Sequence, residues 1–325
     1  MRDRFRPAIR VLGLGVLAFL PLSCATQDSG FTIVVLPDTQ YYAAGMHGGT
    51  PEIFEAQTRW IVENRDALNI AFVTQLGDCV EHGDEYLEEW QAADAAMSLL
   101  DDPDGPGLPD GIPFGIAVGN HDQSPQGDAD GTTTYYNQFF GETRFRGRAY
   151  YGGHYGGDND NHYQLFSAGR RDVIVVHLEY DASPDEAVLH WADDLLKAHA
   201  DRRAVVVTHH LVGSGNPAPF SAQGQAIYDA LKGNPNLLLM LGGHVAGGGG
   251  EGQRVDTYQG NRVYSLLSDY QGRENGGNGM LRIMRFDSDR GEIAVTTFSP
   301  YANDGEGVYE RDADSEFVLE WSRPG

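Results

Sequence analysis

Five short polar clusters stand directly behind apolar runs in this chain, and their residue types are those of a cation site. FTIVVL (31–36) is followed by Pro37-Asp38-Thr39-Gln40, IAFVTQL (70–76) by Gly77-Asp78, and IPFGIAV (112–118) by Gly119-Asn120-His121-Asp122. RAVVVT (203–208) leads into His209-His210, and NLLLML (236–241) into Gly242-Gly243-His244. Brought together, these acids and imidazoles crowd charges and lone pairs unless a cation offsets them. Hard oxygen donors mixed with imidazole suit Mn, Fe or Zn. An aspartate shared between two such ions can bridge them, and a pair of ions serves an in-line displacement at phosphorus by stabilising both the attacking and the leaving oxygen. Taken singly, each residue has an ordinary explanation. Asp38 or Asp78 could cap a helix or form a turn, and His244 could be a hydrogen-bonded structural histidine. Ordinary explanations do not account for all of them standing in order at the ends of apolar runs.

The runs are near-continuously apolar and β-branched, which predicts strands covered on both faces, and DVIVVHLEY (172–180) is a sixth. Helical periodicity lies between them. The stretch 51–68 has Thr50 as an N-cap and Pro51 at its first position, with Ile53, Trp60, Ile61 and Leu68 on one side. Residues 84–100 and 184–199 behave similarly, Ser183 capping the latter. Strand alternating with helix predicts an α/β fold. In such sheets ligands gather beyond the carboxyl ends of the strands, so the five clusters have a reason to converge. Glycine just before Asp78, Asn120 and His244 fits a sharply turning backbone. Beyond His244 the runs RVYSLLSDY, MLRIMRFD and GEIAVTTFS carry no helices between them, and they predict a second sheet of hairpins. Gly and Asp concentrate in 101–111, 124–134 and 152–162, which read as loops. DADG (128–131) echoes part of a calcium loop but lacks its later carboxylates, and reads as a polar loop. Gly247 to Gly250 could cradle a phosphate, but no lysine or helix start follows.

The order D-x-Q, G-D, G-N-H-D, T-H, G-H resembles the calcineurin-like metallophosphoesterases, whose usual signature is D-x-H, G-D, G-N-H-[DE], H, G-H-x-H. The resemblance runs from about Phe31 to Phe298, and PDTQ with SDYQGRENGGNG resembles a bacterial, exported subgroup. It implies an α/β fold, a four-layer α-β-β-α sandwich of two mixed β-sheets, with two divalent metal ions at one edge. By the same resemblance Asp78 bridges the metals, Asn120, His209 and His244 complete the second site, and Asp38 with Gln40 serves the first. His121 contacts the phosphate and helps the leaving oxygen depart, with Asp122 orienting it. Two departures stand out. Gln40 replaces a histidine of the first site and Ala246 replaces the last histidine of G-H-x-H, so the first site is expected to be the weaker. The following strand returns beside the metals in this superfamily, which makes Asp269 or Gln271 a candidate substitute, with a turn-capping role for Asp269 as the alternative. His210 is the best placed of the remaining histidines to line the pocket, ahead of His154, His162 and His177. A purple acid phosphatase would carry tyrosine three residues after the bridging aspartate, where this chain has Glu81.

The chain has 325 residues, 41% of them hydrophobic, enough for one globular domain over 31–322 with an insert at 123–162 near the pocket. A formal net charge of -24 repels nucleic acid and anionic membranes. No nucleic-acid partner is expected, and membrane association only through a lipid anchor. Arg2, Arg4, Arg6 and Arg10 precede an apolar stretch over 11–22, too short to span a bilayer, so residues 1–25 read as a signal peptide and 26–30 as a linker. Ser23-Cys24-Ala25 fits ordinary cleavage and Leu22-Ser23-Cys24 fits a lipobox with Pro21 in place of the usual leucine. The expected location is accordingly the bacterial cell envelope, lipid-anchored, or the periplasm or medium. Cys79, the other cysteine, reads as a buried small hydrophobe. The sequence carries no signal for an oligomeric state. The expected activity is hydrolysis of a phosphomonoester or phosphodiester by metal-activated hydroxide. The alternative is a non-catalytic surface or binding protein whose first metal site has degraded.

Overall fold

The computed structural model describes residues 30–102 and 105–321; the signal peptide, most of the linker and Cys24 lie outside them. Strands β1 (Gly30–Leu36), β2 (Ile70–Gln75) and β3 (Phe114–Ile116) are parallel neighbours. Side chains alternate along β1, and both sets are apolar. Phe31, Ile33 and Val35 enter one core, Val34 and Leu36 another, so the strand needs cover on both faces. The outer cover comes from α1 (Gln40–Ala43), α2 (Pro51–Asn64) and α3 (Leu87–Asp101), through Ile53, Phe54, Ile61, Trp90 and Met97. Helix α2 ends four residues before the periodicity does, because Asn69 takes a left-handed φ of 48° to deliver the chain into β2.

The span 124–162, whose two ends 124–134 and 152–162 read as loops, holds more structure than those ends imply. It carries α4 (Thr134–Phe140), α5 (Glu142–Phe145) and β4 (Tyr151–His154), followed by β5 (His162–Ala168). Then come β6 (Arg171–Leu178), α6 (Glu186–Ala198), β7 (Arg203–Thr208), α7 (Ala222–Leu231) and β8 (Leu237–Gly242). Asp185 rather than Ser183 occupies the cap position of α6. The hairpin β9 (Glu251–Tyr258) and β10 (Asn261–Ser268) completes a seven-stranded sheet ordered β4-β5-β6-β7-β8-β10-β9. Its strands β6, β7, β8 and β10 are parallel.

The expectation of a second sheet of hairpins after His244 is corrected here. Only β9 and β10 join the second sheet. Strands β11 (Leu281–Asp287), β12 (Glu292–Ser299), β13 (Val308–Glu310) and β14 (Glu316–Glu320) return to the first, ordered β13-β12-β11-β1-β2-β3 with β14 also on β12. Met284 and Phe286 on β11 need the core that β1 needs, and Phe286 stacks on Phe31 at 4.6 Å. Between the two sheets Phe72, Val175, Val205, Leu239 and Leu266 form the sandwich interior, while α6 and α7 cover the far face of the second sheet through Leu196, Ile227 and Leu231. The result is helix, sheet, sheet, helix, as expected.

A stacked histidine pair makes one of the polar islands in the interior. The His162 and His177 rings stack at 4.7 Å and 7°, both fully buried. His177 Nε2 meets the Thr74 hydroxyl at 2.9 Å and His162 Nδ1 donates to the Asn159 carbonyl at 2.7 Å. Neither ring belongs to the strand-end clusters.

Candidate metal centre

Strands β1, β2, β3, β7 and β8 deliver their carboxyl ends to one edge of the sandwich, as does β10, and the polar clusters meet there. The backbone is forced to make this possible. Asp78 and His244 hold positive φ values of 51° and 74°, conformations that side chains with a Cβ adopt at a cost. A Cβ at Gly119 would fall 2.2 Å from Asp78 Oδ1, and one at Gly243 would fall 2.0 Å from Asp38 Oδ1. Glycine is required at both, because carboxylates occupy the space.

The centre is organised around His209, which is fully buried. Its Nδ1 faces the Leu76 carbonyl at 3.0 Å and donates to it. In the neutral ring this leaves Nε2 with a lone pair. That atom faces Asp78 Oδ2 at 3.0 Å, Asn120 Oδ1 at 3.1 Å and His244 Nδ1 at 3.1 Å. Asp78, His209 and His244 each place a ligand atom within 4.8 Å of the others. Burial lowers the His209 pKa, but the charges of Asp78 and Asp38 outweigh it and hold the ring up at about 10. Positive charge is thus favoured at this point, and a proton is the smallest species that supplies it. Burial, then His209 and His210, hold His244 down to about 4. The donor set therefore fits a divalent cation.

Beside it lies a set of oxygens and amides. Gln40 Nε2 reaches Asp78 Oδ2 at 3.2 Å, while Gln271 Nε2 reaches Asp38 Oδ2 at 3.3 Å and Asp269 Oδ2 at 3.1 Å. The oxygens of both amides, Gln40 Oε1 and Gln271 Oε1, are buried without a partner. Burial first, then Asp269 and Asp78, push the Asp38 carboxyl well above its usual range. Burial likewise lifts Asp269 to about 6. Crowded acids and unpartnered carbonyl oxygens fit a second cation here. The return of Asp269 and Gln271 beside Asp38 follows the course expected of the segment after β10. Ala246 packs close by, since a Cβ at Gly272 would lie 3.1 Å from the Ala246 Cβ.

His121 stands at the rim. Its backbone N–H donates to Asp78 Oδ1 at 2.9 Å, its Nδ1 to the Glu81 carbonyl at 2.9 Å, and Gln126 Nε2 approaches its Nε2 at 2.9 Å. Asp122 does not hold this ring. Its Oδ1 accepts from the backbone of Cys79 and Val80 at 2.9 and 3.1 Å, and its Oδ2 from Gly119 at 2.7 Å. Asp122 thus fastens the turn after β2 to the turn after β3, and the orienting contact expected of it falls to Glu81, whose Oε2 lies 3.4 Å from His121 Nδ1. Burial and the Asp78 charge raise Asp122 to about 7.

His210 lies against His244 with ring centres 4.2 Å apart and the planes tilted by 38°. Tyr180 lies 5.7 Å from His244 and parallel to His210 at 6.4 Å. Gln126 and Tyr180 were not read from the sequence. Tyr180 closes the run DVIVVHLEY, so the strand-end logic that found the others could have found it; Gln126 sits in a loop with no such signal.

Residues 31–248 match the family described as "Calcineurin-like phosphoesterase". An uncharacterized protein, YvnB of Bacillus subtilis (strain 168), is 35% identical over 288 residues, 87% of this chain and 21% of that protein. The chain therefore spans about a fifth of the length of this curated relative. Among solved structures, a dimetal phosphatase from Danio rerio matches with a TM-score of 0.54 at 13% identity, covering 90% of this chain and 99% of that one. GAP50, described as the anchor in the inner membrane complex of Plasmodium, matches with a TM-score of 0.50 at 11% identity, covering 90% of each. At these identities the two structures speak for the fold.

Proposed function

We propose that this chain, which belongs to the calcineurin-like phosphoesterase family, hydrolyses a phosphate monoester or diester with two divalent cations of the Mn, Fe or Zn class. The observation that carries the reading is the convergence of Asp78, Asn120 and His244 on the lone pair of His209 Nε2. Asp78, Asn120, His209 and His244 would hold one cation. Asp38, Gln40 and Asp78, with Asp269 or Gln271, would hold the other through oxygen alone. That second set would bind more weakly and favour the harder Mn. When bound, such cations supply Lewis acidity towards water and phosphoryl oxygens.

The chain's own residues divide the remaining work. His121 Nδ1 is committed to the Glu81 carbonyl, so its Nε2, which meets Gln126 Nε2 at 2.9 Å, is the ring atom left for substrate once Gln126 turns aside. Protonated there, it donates to the leaving oxygen. Asp122 keeps Asn120 and His121 in register with Asp78 through the backbone. His210 and Tyr180 wall the centre. We also propose export, with a lipid on Cys24, from the composition of residues 1–25.

Elemental analysis of the purified protein, paired with turnover of p-nitrophenyl phosphate and bis(p-nitrophenyl) phosphate before and after chelation, tests the reading. Bound metal with chelator-sensitive turnover is expected. Full metal occupancy without turnover of either ester would favour the non-catalytic alternative.

A further inference from the structure

The loop that carries Gln126 has a second side. Residues 127–130 help to line a cavity of about 270 Å³, together with Leu178, Glu179, residues 181–185 and side chains of α6 and α7. Five carboxylates line it, Asp128, Asp130, Glu179, Asp181 and Asp185, and among the described residues no Lys, Arg or His does. The DADG stretch thus faces other acids. An adjoining hollow shares Glu179 and Asp185 and adds Asp158 and Asp160.

An observation independent of the acids points to a ligand. Gln223 lines the cavity and is only 2% exposed. Its Nε2 donates to the Glu179 carbonyl at 2.7 Å and to the Thr208 hydroxyl at 2.9 Å, which leaves its Oε1 without a partner. A buried carbonyl oxygen left unpaired beside a ring of acids favours positive charge there, whether carried on N–H groups or on the polarised C–H groups of N-methyls. Glu179 has amide contacts only, Asn161 Nδ2 at 2.5 Å and Gln123 Nε2 at 3.5 Å. Burial and the neighbouring Asp160 lift its carboxyl to about 8, a load that a bound cation would relieve.

The geometry also selects the kind of cation. A bare calcium ion draws its oxygens to about 2.3–2.6 Å. Among the described residues, the groups of three ligand atoms that approach one another within 4.8 Å lie elsewhere, so these acids surround the space without gathering on one point. A spread set suits a charge distributed over N–H or N-methyl groups, and the volume suits a small one.

We propose that this cavity binds an organic ammonium group. It adjoins the metal centre, since a Cβ at Gly127 would lie 3.8 Å from the Asn120 Cβ and 3.7 Å from the Tyr180 ring. The ammonium could arrive as the alcohol portion of the phosphoester or as a free amine. Only the first source rests on the phosphoesterase reading.

Calorimetric titration of the metal-loaded protein with choline, against its neutral isostere 3,3-dimethylbutanol at matched ionic strength, tests the site. Saturable binding of choline alone is expected, weakened at least tenfold by Glu179→Gln. Asp185→Asn, at an exposed position, is the companion variant should the first fail to fold. Absence of saturation, equal binding of the isostere, or choline binding unaffected by either substitution overturns the proposal. So does displacement of choline by tighter-binding calcium. Turnover of choline p-nitrophenyl phosphate and of its dimethylbutyl analogue separates the sources. A preference of at least tenfold for the choline ester, lost in the variants, assigns the ammonium to substrate. Equal rates with choline binding intact assign it to a free amine. No turnover of either with choline binding intact removes the diester half of the phosphoesterase reading and leaves the cavity standing.

Discussion

His121 can be separated from the metal ligands by experiment because the hydrogen bonds of its ring go to Glu81 on one side and Gln126 on the other. His121→Ala should slow turnover by roughly 100- to 10,000-fold, the span for one positioned acid or base, with metal content unchanged. Steady-state rates beside elemental analysis would show it, and unaltered turnover with metals retained would remove the role. The missing histidine at Ala246 makes a second test. Gln271→Ala should weaken the weaker of two metal affinities, and adding Ala246→His should recover it, while the tighter affinity stays put. Titration of metal into stripped protein reads both, and two equal affinities indifferent to either change would refute the substitution of donors. At this scale the ligand-type residues were legible because a scarce combination of side chains followed apolar runs. The contacts of Asp122 were not. A carboxylate accepting three backbone N–H groups looks, in sequence, like one that orients a histidine.

The elements were legible where burial dictates pattern. β7 spans the expected run, and β1 and β2 nearly so, because strands buried on both faces have few ways to be written. The pattern failed where partners come from afar. Nothing within MLRIMRFD says that it pairs with β1 rather than with β10, since both neighbours offer an apolar face. α4, α5 and β4 were hidden by the Gly, Asp and Tyr around them. The turns that end the strands are close joints, and this gives a test at the level of the element. Gly119→Ala would drive a methyl group to 2.1 Å from the Asp78 backbone nitrogen and 2.2 Å from its carboxylate. The turns after β2 and β3 must then part, and both metals should be lost together. Thermal unfolding of the metal-free variant is the control. A variant that binds both ions normally would show that this close approach does not matter.

At the scale of the whole molecule, the stacked pair between the sheets ties stability to pH. Burial holds His162 down to about 4 and His177 well below its ordinary value. The unfolded chain returns both to about 6.5 and so binds more protons as the pH falls below that value. Stability should decline from there towards pH 4, by up to about 1.4 kcal/mol per pH unit for each histidine. Glu179 and Asp160, raised by burial, act in the opposite direction. The readout is therefore the difference in slope between the wild-type chain and His162→Gln with His177→Gln, from urea unfolding at several pH values. Equal slopes would mean that the pair is not the source.

The placement of β1 between β2 and β11 bears on how the molecule is made. β1 begins at Gly30 and its partner β11 ends at Asp287, with the whole second sheet encoded between them. Such distant pairing is slow, because the entropy of closing a long loop precedes any gain from the contact. During synthesis the second sheet is complete by Ser268, while β1 still lacks one neighbour and its apolar side chains have only part of their cover. The last strands to emerge are those that lock the first one in. A chain still being synthesised therefore stays open on that side until β11 has emerged, and the closing of the first sheet is the last step that its strand order permits.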